Sequence, residues 1–267
     1  MPLALAARHL LEGSLPARAL AITFDDGYAD NHDVALPILQ KHGLSATFFV
    51  ASGFLDGGRM WNDTVVEALR RTAHDSLDFG AAGLPGIGHL ALGSVSLRQQ
   101  AIGQLLGAIK YLEPVQRQRA VETVARISGA VLPTDLMMSS AQVRSLHLAG
   151  MGLGGHTVNH PILARLSETA AFDEMQAGKL ALESLTQAPV DVFAYPNGRP
   201  DVDYTVRDAR LAARAGFKAA VSTAWGASKA GDDVYQLRRF TPWDRSKWRF
   251  GVRLALNITK AGGALAH

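Results

Sequence analysis

The 267-residue chain contains no cysteine. Disulfides, thiolate metal sites and a cysteine nucleophile are thereby excluded, and the redox compartment stays open. Charge of one sign is also scarce: 27 Lys and Arg stand against 24 Asp and Glu, a formal net charge of +3. With so small a bias the expectation is no nucleic-acid partner and no membrane-surface preference, despite a sequence pI of about 9.3. The first residues, "MPLALAARHLLEGSLP", lack a basic start, and Arg8 and His9 interrupt their apolar run. They do not read as a secretion signal, so the expected compartment is the cytoplasm. Long hydrophobic runs are missing too. The longest uncharged stretch, residues 79–97 with His89 neutral, is broken by Gly80, Gly83, Pro85, Gly86, Gly88 and Gly93. It predicts a loop-rich insertion and no membrane span.

What is present is a rhythm. The run 17–24, "ARALAITF", reads as a buried strand. "NHDVALPILQKHG" has helical period and stops at Gly43, and "SATFFVAS" is a second strand. Strand, helix and strand in that order predict parallel pairing. Between about 57 and 133 the rhythm gives way to helical patterns around a glycine-rich part, read as a mostly helical insertion within one domain spanning 1–267. The alternation then resumes: "MGLGGH", "VDVFAYP", "FKAAVST" and the short "YQLRRF" read as strands, with helices between them and a last helix near "SKWRFGVRLAL". The expected fold is α/β, with about seven parallel strands in a barrel or an open sheet. In either case chemistry belongs at the C-terminal strand ends.

The informative side chains lie at those ends. Asp25 and Asp26 follow the first strand, His156 and His160 flank "HTVNH", and Tyr195-Pro196-Asn197 follow "VDVFA". Gly154-Gly155 before and Pro161 after predict a tight turn for the histidine pair rather than a long helix. Two neutral imidazoles and one carboxylate suit a divalent cation with an open position, and either aspartate can supply that carboxylate. The other can act as a general base, since successive side chains of an extended segment point different ways. Trp61, Tyr28, Tyr195, Trp225 and Trp243, in or near expected loops, offer faces on which sugar rings stack.

"TFDDGYADN", "HTVNHP" and "FAYPNG" resemble, in this order, the first three motifs of the polysaccharide deacetylases. This carbohydrate esterase family includes chitin, peptidoglycan and nodulation-factor deacetylases. The resemblance runs over about 17–237, outside the insertion, and implies a distorted (β/α) barrel with fewer than eight strands. It further implies hydrolytic removal of N-acetyl groups from a sugar or polysaccharide. Asp25 becomes the general base, and Asp26, His156 and His160 become ligands of a divalent metal, zinc before cobalt or nickel. The N–H of Asn197 is the implied donor to the oxyanion. Tyr195, Trp61 and Arg239 are the expected substrate contacts, and the partner is an N-acetylated carbohydrate. An O-acetyl ester or a small amide would suit the same site, and a carbohydrate-binding protein that has lost catalysis is the rival of another class. The family's motif arginines are replaced here by Asp191 and Ala194, and Asn197 stands where many members have tyrosine. The late histidine of the family is missing, since only His267 follows His160, at an end expected to be mobile. Arg238 or Arg239 is then expected to orient Asp25, and Asp244 to contribute to the proton path.

Overall fold

The computed structural model describes residues 1–241, 243–259 and 262–267. The chain divides into two compact units, Met1–Asp56 with Met137–His267, and Gly57–Leu136.

The first unit is built on five parallel strands. These are β1 (Ile22–Phe24), β2 (Ala46–Val50), β5 (Gly152–Gly155), β6 (Val192–Ala194) and β7 (Ala219–Val221), hydrogen-bonded in that spatial order. They curl into part of a distorted barrel wall. The expected count of about seven is therefore corrected to five. Residues 235–240 supply only an isolated bridge, Val221 to Leu237, because a short 3-10 turn, Val234–Gln236, takes up the preceding residues. Helices on this unit are α1 (Leu3–Leu11), α2 (Leu36–Lys41), α6 (Ser140–Leu148), α7 (Glu168–Thr186), α8 (Val206–Arg214) and α9 (Lys247–Thr259). Among the described residues none is long and apolar enough to cross a membrane.

The second unit holds α3 (Trp61–Arg71), an antiparallel pair β3 (Ser76–Asp78) and β4 (His89–Ala91), α4 (Val95–Ile109) and α5 (Pro114–Ser128). Val65, Leu69, Phe79, Leu92, Leu105 and Val124 are buried in a core of its own. The Arg98 guanidinium donates to the Leu69 and Thr72 carbonyls, which satisfies the C-terminal end of α3. The glycine-rich part thus becomes a hairpin arm and a turn between helices.

The sequence of β5, Gly-Leu-Gly-Gly, is explained by its neighbours. Gly154 and Gly155 face opposite sides of the sheet, and each makes room for a ring. A Cβ at Gly154 would run into the Phe49 ring from β2, and one at Gly155 would meet Phe217 Cζ at 2.8 Å. Phe217 packs in turn on Phe193, with ring centroids 5.0 Å apart. The glycines cost strand propensity, but they let large aromatics close over the middle of the sheet directly below His156.

The C-terminal residues also differ from expectation. Ala266 is buried, and Gln236 holds its backbone at both the N–H (2.9 Å) and the C=O (3.4 Å). The His267 N–H donates to Asp201. The end expected to be mobile is docked, because its small residues fit a cleft lined by a buried amide.

These contacts separate two glycines that look alike in the sequence. Gly154→Ala should lower stability by about 1–3 kcal/mol, since the Phe49 ring has no room to yield. Gly103, inside α4 with nothing within 4 Å of its would-be Cβ, should gain roughly 0.5–1 kcal/mol as alanine. Calorimetric melting of the two variants checks both signs.

Candidate metal and hydrolytic site

The site is assembled at the C-terminal ends of β1, β5 and β6. Asp25 and Asp26 leave β1 in different backbone states. Asp26 is left-handed (φ 74°) and Gly27 follows at φ 89°, with its N–H returning to the Asp25 carbonyl at 2.9 Å. That reversal sends the two carboxylates apart. Asp25 Oδ1 receives Arg239 Nη1 at 2.7 Å, whereas Asp26 Oδ1 lies 3.3 Å from both His156 Nε2 and His160 Nε2.

His156 caps β5 and is buried. Its Nδ1 donates to the Ala194 carbonyl at 2.7 Å, which leaves Nε2 as the bare nitrogen of the neutral ring. Residues 157–160 form the tight turn that the flanking glycines and proline predict. Thr157 (φ 66°) and His160 (φ 51°) are left-handed, and Thr157 Oγ1 accepts from the His160 N–H at 3.0 Å. Glu174 on α7 clamps the turn by accepting from the N–H groups of Val158 (2.9 Å) and Asn159 (2.8 Å). The helix can come this close because residue 178 is glycine: a Cβ there would meet the Thr157 carbonyl oxygen at 2.8 Å.

One donor atom from each of Asp26, His156 and His160 lies within 4.8 Å of the others. Two ligands about 2.0–2.1 Å from a tetrahedral zinc stand roughly 3.3–3.4 Å apart, which is the spacing between Asp26 Oδ1 and each imidazole. When Nε2 of His156 is unprotonated, its lone pair faces the Asp26 carboxylate across this gap, and a proton or a cation there relieves the repulsion. Burial acts to lower the His156 pKa, but Asp26 and Asp25 outweigh it and raise it overall. For His160, burial and the nearby His156 prevail over Asp26 and lower it. The pair therefore resists a second proton, and the donor set fits a divalent cation. Burial likewise opposes ionisation of Asp26, yet the two imidazoles, which donate to it when their facing nitrogens are protonated, hold its pKa well below the usual carboxylate range. Asp25 is depressed as well, with Arg239 and His156 overcoming burial.

Asn197 lies three residues beyond Ala194, exposed and left-handed at φ 58°. Thr223 fixes this turn, its hydroxyl donating to the Asn197 carbonyl (3.0 Å) and its N–H to the Gly198 carbonyl (2.8 Å). The Asn197 N–H has no acceptor among the described residues.

The expected substrate contacts fare differently. Tyr195 is fully buried, stacked on Tyr204 at 3.9 Å, with its hydroxyl donating to the Tyr235 carbonyl at 2.8 Å. Its side chain is part of the core, so it offers no face to a sugar; burial, then Tyr204, raises its pKa well above the ordinary tyrosine value. Trp61 belongs to the second unit, half-buried on that core beneath the Arg117 guanidinium. Arg239 is occupied by Asp25 and, through Nε, by the Ser222 carbonyl at 2.9 Å. Arg238 instead pairs with Asp232 at 2.6 Å, and Asp244 with Arg253 at 3.3 Å. Glu174 and the Ala194 carbonyl were not singled out from the sequence. One looks like ordinary helix charge, and the other is a backbone atom that no residue type announces.

The family model for polysaccharide deacetylases matches residues 12–220. Over 222 residues the chain is 20% identical to YxkH of Bacillus subtilis (strain 168), a relative named for the same activity; the match covers 83% of this chain. The chain spans half the length of that relative. Two solved structures share its fold. IcaB from Ammonifex degensii aligns over 96% of this chain and 81% of its own, at 17% identity and a TM-score of 0.57. The Streptococcus pyogenes deacetylase PplD, in complex with acetate, aligns over 88% and 69%, at 22% identity and 0.54. The motif at the end of β1, the histidine turn after β5 and the turn after β6 all fall inside the matched residues, and the chain belongs to the polysaccharide deacetylase family.

Proposed function

We propose that the chain is a divalent-metal-dependent hydrolase that removes N-acetyl groups from a sugar or polysaccharide. The observation that carries this reading is the Asp26–His156–His160 cluster, whose spacing suits a bound cation. Zinc suits two imidazoles and a carboxylate, and cobalt or nickel would suit them too. When bound, the cation supplies Lewis acidity, polarising the acetyl carbonyl and acidifying a water.

The remaining work belongs to the chain. Asp25, kept ionised by Arg239, accepts the proton of the attacking water. The N–H of Asn197 donates to the oxygen that becomes negative as the carbonyl carbon turns tetrahedral. Its left-handed backbone, held by Thr223, aims that N–H before substrate arrives. The nitrogen then takes up a proton equivalent to the one Asp25 removed from the water, the C–N bond breaks, acetate leaves, and a free amine remains on the sugar. We read residues of about 57–133 as an insertion in this one deacetylase domain.

The two adjacent aspartates should behave differently. Asp26→Ala should lose bound metal and acetate release together. Asp25→Asn should keep its metal and lose turnover by about 10²–10⁴-fold, the usual loss for a missing general base. Elemental analysis and acetate assays on the purified variants check this, and equal metal loss in both would make Asp25 a ligand and refute its role as base. An O-acetylated and an N-acetylated sugar assayed in parallel decide between ester and amide hydrolysis.

A second expectation concerns Arg239. Arg239→Met should lower kcat by roughly 10–100-fold, as for other residues that hold a reacting group in place, with KM and metal content little changed. A rise in KM alone would make Arg239 a substrate contact instead.

A further inference from the structure

The near-neutral charge of the whole chain conceals a local imbalance. Residues 241–257 contain Arg245, Lys247, Arg249 and Arg253 against one acid, Asp244. Asp244 pairs with Arg253 at 3.3 Å. The other three cations enter no ion pair among the described residues, and all three are exposed.

Helix α9 is fastened along one face. Phe250 packs on Phe240 with ring centroids 5.8 Å apart, and Phe240 stacks on Trp225 at 6.1 Å. The Arg253 guanidinium lies 5.8 Å from the Trp225 ring centre, and Asn257 is buried. The opposite face carries Trp248 and Val252, four residues apart and therefore stacked along one stripe. They are 79% and 59% exposed, and Trp243, just before the helix, is 82% exposed. Lys247 and Arg249 flank the stripe.

Indole rings, an aliphatic residue and flanking cations on one outward face are the composition of a helix that lies in a bilayer interface. The indoles take the boundary between headgroup and acyl chain, and the cations take lipid phosphates. A polyanion in solution would answer the cations and leave the stripe wet. A neutral apolar partner would cover the stripe and leave the cations unanswered. At 13 residues, about 20 Å of helix, α9 is too short to cross a membrane and long enough to lie along one.

We propose that α9 docks flat on an anionic phospholipid bilayer, with Trp243, Trp248 and Val252 entering the interface and Arg245, Lys247 and Arg249 meeting the lipid phosphates. Phe240, the anchor of the helix, directly follows Arg239, which holds Asp25. Docking would therefore bring the chain segment that completes the candidate site to the membrane surface, whatever that site hydrolyses.

Cosedimentation of the full chain with vesicles tests this without reference to activity. The protein should bind vesicles of phosphatidylcholine with phosphatidylglycerol, bind pure phosphatidylcholine far less, and lose binding as salt rises. Brominated lipids should quench its tryptophan fluorescence. The double variant Lys247→Gln/Arg249→Gln should partition roughly 25-fold less, at about five-fold per cation. Trp248→Ser/Val252→Ser should lose roughly ten-fold or more. Both variants should melt with the wild type, since the altered side chains are exposed. Failure to bind anionic vesicles, or equal binding by the variants, would overturn the proposal. A concentration-dependent dimer abolished by Trp248→Ser/Val252→Ser, with no vesicle binding, would assign the face to a second copy of the chain instead.

Discussion

A carboxylate oxygen and two imidazole nitrogens converge within 4.8 Å of one another. Asp26 Oδ1 lies 3.3 Å from two imidazole nitrogens, and the one proton that could separate it from His156 is drawn instead to the far side of that ring by the Ala194 carbonyl. Much of the first unit serves to maintain this arrangement. The Gly-Gly end of β5 lets aromatic rings pack under His156, Gly178 lets α7 approach, and Glu174 ties down the turn that returns His160 to its partner.

Backbone strain is concentrated in the same places. Asp26, Thr157, His160 and Asn197 all have positive φ without being glycine. Such residues cost on the order of 1 kcal/mol or more each, and only surrounding contacts keep them there. Gly27, Thr223 and Glu174 supply those contacts. The reward is direction. Left-handed geometry at Asp26 separates two neighbouring carboxylates that a plain extended strand would merely alternate, and at Asn197 it turns out an N–H with no acceptor among the described residues. Residue type helps, because Asp, Asn and His tolerate this region better than branched side chains do.

The sequence made the strand ends legible because the chemistry there resides in side chains. Two carboxylates after "ITF" and two histidines around "TVN" have few other uses when they occur together, and the alternation of strand and helix orders them along the chain. Side-chain direction was less legible. Tyr195 sits in the right motif, but its ring points into the core against Tyr204. The strand count overshot because "YQLRRF" has strand composition, yet its first residues close a 3-10 turn and leave one bridge. The docked C-terminus and α1 were missed for a related reason. Short alanine-rich segments have little periodicity, and burial of a residue like Ala266 depends on a distant amide. Acidic Glu174 gave no sign at all, since two of its three partners are backbone N–H groups of another element and the third is the Asn159 amide.

The Asp25–Arg239 contact spans 214 positions of the chain, and Arg239 lies beyond the residues 12–220 that match the family model. The Asp26–His156–His160 cluster, by contrast, is complete in sequence at His160. A chain growing from its N-terminus would therefore have all three of these residues well before it had the guanidinium that pairs with Asp25. A molecule clipped before Arg239 would keep Asp26, His156 and His160 and lose the ion-pair partner of Asp25, so charge complementarity around the two aspartates is complete only with the last residues of this unit.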